Sequence, residues 1–204
     1  MSRYSGSDPY IDPATGVLRN RLDIADETTL EQTEADFVAA RSFELSRTPL
    51  KGRFDLAHLQ AIHKHLFGDL YEWAGRLRTI DISKGSNRFA HHAHIEIAAA
   101  SIFQQLAKEN HLAGLGAEAF SDRAAYYLGD LNALHPFREG NGRAQREFIS
   151  HLAHANGYYV AWENMPPADL LAASIASFHG DTSKLAGFIR WNLSALEQTG
   201  PEGL

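Results

Sequence analysis

The chain has no cysteine. That excludes disulfides and thiolate metal sites and fits a reducing compartment. No run of about 18 apolar residues occurs, so no membrane span is expected. The opening Met1 to Pro9 carries no apolar stretch of the signal-peptide kind. A basic excess is missing too: 19 Lys and Arg stand against 25 Asp and Glu, a formal charge of −6, which argues against a general nucleic-acid binder. There is no internal repeat and no low-complexity tract. What remains is 204 residues, 44% hydrophobic and 10% aromatic, enough to bury the core of one domain.

The chemistry concentrates in twelve residues, His135-Pro-Phe-Arg-Glu-Gly-Asn-Gly-Arg-Ala-Gln-Arg146. Before them, apolar positions at Ala124, Leu128, Leu131 and Leu134 predict a helix over 121–134, stopped by Pro136. After them, Ala144, Phe148, Leu152 and Ala155 predict a second helix from about Gly142 to Asn156, with Gly157 as its stop. A helix start has free N–H groups and a positive dipole end. Gly140 and Gly142 around Asn141 let the backbone approach a ligand closely, and phosphate suits such a site. Arg143 and Arg146, three apart, supply guanidinium forks from one side of that helix. Glu139 is a hard oxygen ligand for Mg²⁺, and His135 is the candidate general base.

Elsewhere the pattern is mostly helical. Residues 1–22 read as an arm that docks through Tyr10, Ile11, Val17, Leu18 and Leu22. Thr28-Thr29-Leu30-Glu31 fits a capping box for a helix through Leu45, and Asp55 fits the cap of a helix carrying Leu56 to Phe67. His58, His63 and His65 on that helix read as packing or surface groups. Alternation over Thr79–Ile82 and Arg88–His91 around Ser83 to Asn87 predicts a small hairpin. His91, His92 and His94 read as solvated, because strand neighbours face opposite sides. A helix from Ile95 is closed by Asn110, Tyr158 to Trp162 is extended, Leu170 to Phe178 is a helix, and Thr182 caps a last helix carrying Leu185 to Leu196. The reading is all-α, about eight helices with one hairpin, and a frayed tail over 199–204.

The string His135-x-Phe137-x-Glu139-Gly140-Asn141-Gly142-Arg143-x-x-Arg146 resembles the complete signature of Fic-domain proteins, with no position departing from it. The resemblance extends from about Tyr4 to Leu196 and implies a Fic domain over 23–198 behind the 1–22 arm. It implies transfer of AMP from ATP to a Tyr, Ser or Thr hydroxyl of a target protein. His135 would then be the base, Glu139 the Mg²⁺ ligand, and Gly140, Asn141 and Gly142 the anion hole. Arg143 would bind phosphate, Arg146 the γ-phosphate, and Phe137 would anchor the loop. Ile82, Ser83, Lys84, Gly85, Ser86, Asn87, Arg88 and Phe89 would form a flap whose edge pairs with the target, with Lys84, Gly85 and Ser86 also reaching the nucleotide.

Fic proteins are commonly restrained by a helix carrying Ser/Thr-x-x-x-Glu-Gly/Asn, and the chain has no such pattern. The expectation is a cytoplasmic toxin silenced by a separate small antitoxin whose Glu bonds Arg146. Likeness to small bacterial Fic toxins implies the ATPase subunits of type II topoisomerases as targets, and likeness to secreted effectors would imply host GTPases; the former is favoured. Transfer of another phosphate-containing group, or a nucleotide-gated binding module, stays open at this point.

Overall fold

A computed structural model describes residues 8–84 and 87–196. Gly85, Ser86, Tyr4 and the 199–204 tail therefore lie outside the described residues. Among the described ones there are seven α-helices, three short 3₁₀ turns and two pairs of short strands. No helix there is long and apolar enough to cross a membrane.

Helix α1 (Glu27–Arg47) starts one residue after Asp26, whose side chain accepts from the Thr29 N–H at 2.8 Å and the Thr29 hydroxyl at 2.6 Å. The cap is thus Asp26 rather than Thr28, because the first competent oxygen in the run wins. Helix α2 (Leu56–Phe67) is capped by Asp55, which accepts from the His58 N–H. Its buried stripe, Leu59, Ile62, His63, Leu66 and Phe67, packs on α1 and on the later helix α5. Then follow β1 (Ser83–Lys84) and β2 (Asn87–Arg88), paired antiparallel, and α3 (Ile95–Lys108), which ends two residues before Asn110.

Helix α4 (Ala117–Leu134) is the hub. Phe120, Ala124, Tyr127, Leu128 and Leu131 are buried around its circumference, and it packs against α3 and all three helices that follow. These are α5 (Asn141–Ala155), α6 (Pro167–Phe178) and α7 (Ser183–Trp191). A helix hydrophobic on most faces must be central. Between α5 and α6 runs β3 (Tyr158–Val160), paired antiparallel with β4 (Leu193–Ala195). Leu193 therefore leaves the last helix, and the 182–196 helix expected from periodicity stops at Trp191. Thr182 occupies the N-cap position without a side-chain bond; Asp181 accepts from the Ser183 N–H and hydroxyl instead.

Residues 8–22 dock through buried Val17 and partly buried Leu18, by main chain and by charge, whereas Leu22, expected to dock, is exposed. Ile11 bridges Leu18, Arg21 N–H donates to Leu70 O at 2.8 Å, and Asp8 pairs with Arg138 at 2.8 Å in a largely buried contact.

Candidate active site

The loop 135–140 joins two helices that meet end to end, and both ends are left-handed. His135 has φ +45° at the end of α4, and Gly140 has φ +77° at the start of α5. A histidine in that region costs about 1–2 kcal/mol, so the surroundings must impose it. Arg78 imposes it from one side. Its buried guanidinium donates to His135 O at 2.8 Å, to Ile80 O at 2.6 Å, and also to Ala90 O and Leu134 O. Its own N–H donates to Pro136 O, and Ala90 N–H donates to Ala133 O. One side chain thereby ties both ends of the hairpin to the end of α4.

Three more side chains hold the loop. Asn141 is buried, its amide oxygen accepting from Phe137 N–H and its NH₂ donating to Phe137 O, both at 2.8 Å. The Asn141 side chain is thus committed to the loop, and its share in an anion cradle falls to its main-chain N–H. His63, under the loop, donates through Nε2 to Glu139 O at 2.9 Å and accepts through Nδ1 from Gly75 N–H at 2.9 Å. Burial pushes its pKa down to about 4, so it stays neutral. Phe137 is fully buried, its ring 3.9 Å from that of His63. Gly140 sits so close to Phe67 that a Cβ would lie 2.4 Å from the ring.

Within this frame the His135 ring faces a cavity of about 690 Å³. Its Nδ1 lies 3.0 Å from Asn132 O, so Nδ1 carries the proton and Nε2 keeps its lone pair. The ring stacks on Phe89 at 3.7 Å and 14°. Burial lowers its pKa to about 4; the Asn132 carbonyl and Glu139 oppose that, while Arg78 and Lys84 add to it. Helix α5 opens with no side-chain cap, which leaves its first N–H groups for a ligand. Lys84, Asn87, Glu139, Gly142 and Arg146 also line the cavity, and Met165, Leu170, Ile175 and Phe178 wall its apolar side. Its volume suits a small ligand with one ionic and one apolar end.

The two arginines diverge. Arg143 pairs with Glu34 of α1 at 2.5 Å and lies over the Phe67 ring at 4.8 Å, with Glu139 at 3.6 Å. Glu34 also accepts from the Tyr71 hydroxyl at 2.6 Å. Arg146 points into the cavity, and among the described residues no carboxylate lies within ion-pair distance of it. Burial and the Arg143 charge lower its pKa. Such a guanidinium is an anion site. The Glu139 carboxylate is half exposed, with one oxygen accepting from Gly140 N–H.

The hairpin is smaller than alternation implied. Ser83, Lys84 and Arg88 are exposed and Asn87 is partly so, but Ile82 is buried and Phe89 is turned onto His135. Ile82 and Phe89 thus face inward rather than out along the hairpin edge.

The family profile for "Fic/DOC family" matches residues 53–153. Protein adenylyltransferase VbhT of Bartonella schoenbuchensis is 53% identical over 195 residues, which cover 95% of this chain and 41% of that protein. The probable protein adenylyltransferase y4lH of Sinorhizobium fredii is 42% identical over 192 residues, covering 93% of this chain and 98% of that one. The chain belongs to the Fic/DOC family. A crystal structure of the Bartonella tribocorum effector BepC with bound AMPPNP has the same Fic fold, with a TM-score of 0.87 over 92% of this chain and 97% of that one at 26% identity. The chain spans less than half of VbhT and nearly all of y4lH.

Sequence reasoning missed Arg78, His63 and Glu34 as supports of the Fic loop. His63 left a trace, since it falls on the buried stripe with Leu59, Ile62 and Leu66. Nothing local marks Arg78, whose carbonyl partners Leu134 and His135 lie 56 and 57 residues away.

Proposed function

We propose that this Fic-family chain is a protein adenylyltransferase that moves AMP from ATP to a hydroxyl of a target protein. One observation carries the reading: a neutral imidazole with its Nε2 free opens onto the same cavity as an uncapped helix start and the guanidinium of Arg146. The target oxygen attacks the α-phosphorus in line while the bond to the bridging oxygen of the β-phosphate breaks, and pyrophosphate leaves. His135 Nε2 takes the hydroxyl proton. The N–H groups at the start of α5 stabilise charge on the transferring phosphoryl oxygens, and Arg146 orients the γ-phosphate. Arg143, held by Glu34, adds positive potential at the cradle's other side. Lys84 reaches the nucleotide from the flap, whose edge aligns the target strand.

The donor set fits Mg²⁺, since Glu139 presents an accessible hard oxygen in the cavity, and Mg²⁺ is held by one or two carboxylates together with phosphates. When bound, Mg²⁺ neutralises charge on the phosphate oxygens.

His135→Ala is expected to lower transfer by about 10²–10⁴-fold while ATP affinity stays within twofold. Near wild-type labelling by that variant would remove the base from the mechanism. Mass spectrometry of the labelled target distinguishes an adenylyl from a phosphoryl adduct, and absence of any adduct would leave a nucleotide-gated binding module.

A separate small protein is the natural restraint, as an antitoxin to a cytoplasmic toxin. A groove of about 490 Å³ between α1, α5 and β3 reaches Arg146, and Phe43 and Tyr159 stand exposed at it. A helix laid there with a Glu against Arg146 would block the γ-phosphate. High transfer activity of the isolated chain supports this; an inactive isolated chain contradicts it. The ATPase subunits of type II topoisomerases are the proposed targets, and labelling a bacterial lysate with α-labelled ATP tests them.

A further inference from the structure

The histidines after the flap do not sit as strand neighbours. His92 to His94 form a 3₁₀ turn, and the turn brings two rings onto one carboxylate from the other end of the hairpin. His91 Nε2 lies 3.2 Å from Asp81 Oδ2, and His92 Nδ1 lies 2.9 Å from Asp81 Oδ1. One ligand atom from each of Asp81, His91 and His92 falls within 4.8 Å of the others, and among the described residues this is the one such group. A tetrahedral ion with ligands at about 2.0–2.1 Å needs edges of about 3.3–3.4 Å. Each histidine already lies near that distance from one Asp81 oxygen, His91 from Oδ2 and His92 from Oδ1, so a rotation of the exposed carboxylate brings a single oxygen between the two rings.

We infer that Asp81, His91 and His92 form a Zn²⁺ site that clips together the two ends of the flap. Two imidazoles and one carboxylate select Zn²⁺ over Mg²⁺, which prefers oxygen alone. The three side chains are exposed or nearly so, so an ion can enter, and a fourth position stays open to water. The His94 ring lies 5.4 Å from that of His91. Two features oppose the ion. His91 Nδ1 accepts from Ala93 N–H at 3.2 Å, a bond lost when Nε2 binds metal and Nδ1 takes the proton. Arg78 lies 3.8 Å from Asp81 Oδ1, but its buried guanidinium is bonded to carbonyls. The rings now donate protons to the carboxylate, and Zn²⁺ takes their place, joining residue 81 before β1 to residues 91 and 92 after β2.

This site is independent of the transfer chemistry and is tested without it. Zn²⁺ is titrated calorimetrically into the full chain near pH 7.5, beside His91→Ala/His92→Ala and Asp81→Asn variants. The expected result is one micromolar site in the parent, weakened at least tenfold in both variants. Hydrogen exchange should also slow at residues 82–84 and 87–90 on adding Zn²⁺ in the parent only. No one-to-one binding at 100 µM Zn²⁺ (about fifty times a 2 µM dissociation constant, which is near saturation), or equal binding by the double variant, overturns the proposal. Since the side chains lie on the surface, circular dichroism should report all variants folded, and Mg²⁺ should leave the flap exchange unchanged.

Discussion

The protonation of His135 can be moved by opening its ring to water. Burial is the main reason its pKa falls to about 4, and Phe89, stacked at 3.7 Å, supplies one face of that burial. With a midpoint of about 4, roughly 97% of the ring is neutral at pH 5.5; with the ordinary value of about 6.5, roughly 9% would be. A general base acts in its neutral form, so with His135 in the proposed role kcat/KM should fall only as pH drops through about 4, well below the limb of a solvated imidazole. Phe89→Ala should raise the midpoint by about one unit, toward 6.5. A ring-proton NMR titration of free protein, with the His135 signal assigned by its loss in His135→Ala, reads both midpoints. A wild-type midpoint at 6.5, or no movement on removing Phe89, would refute the assignment of burial as the cause.

Other outcomes follow from the loop's supports. Gly140→Ala meets a left-handed φ and a ring 2.4 Å from its Cβ, so about 2–5 kcal/mol of stability should be lost. Phe67→Leu should recover part of it in a double-mutant cycle, read by urea unfolding; additivity would exclude the steric cause. Arg78→Lys keeps the charge but loses the fork, so kcat should fall at least about tenfold with the ATP KM unchanged. Arg78→Met should in addition raise the His135 midpoint, because the Arg78 charge helps to lower it, whereas the charge-keeping Arg78→Lys should raise it less. Arg146→Ala should weaken ATP binding more than ADP binding, and equal losses would contradict the γ-phosphate role. Stability has its own acid limb. His63 and His135 both have folded pKa values of about 4, below the unfolded 6.5, so the unfolded chain takes up protons first. Their contribution is complete above about pH 6.5 and is lost as pH falls toward 4, and His63→Gln should shrink that fall in a melting series.

The motif string was readable because its chemistry is local: a helix end, two glycines and a helix start lie within twelve residues. The helices were readable for the same reason, through caps such as Asp55 and stripes such as Leu59, Ile62 and Leu66. What escaped depends on distant partners. Leu193 fits helical spacing with Leu185 and Ile189, yet Leu193–Ala195 pairs with Tyr158–Val160, some 35 residues earlier in the chain. Thr79 to Ile82 alternates like a strand, but Arg78 and the Tyr10 hydroxyl take its main-chain groups, so only two residues on each side form the ladder. The histidines 91 and 92 looked separate because a strand was assumed; in a 3₁₀ turn they converge on Asp81. Arg143 and Arg146 share a helix side by spacing, yet only Glu34, far back in the chain, decides that one is engaged and the other open.

The cavity takes one side from Lys84, Asn87 and Phe89 and its apolar wall from residues 165–178. Ribosomes make those pieces in order, so the wall is not in place until residue 178 has been synthesised. A site assembled this way is born inert.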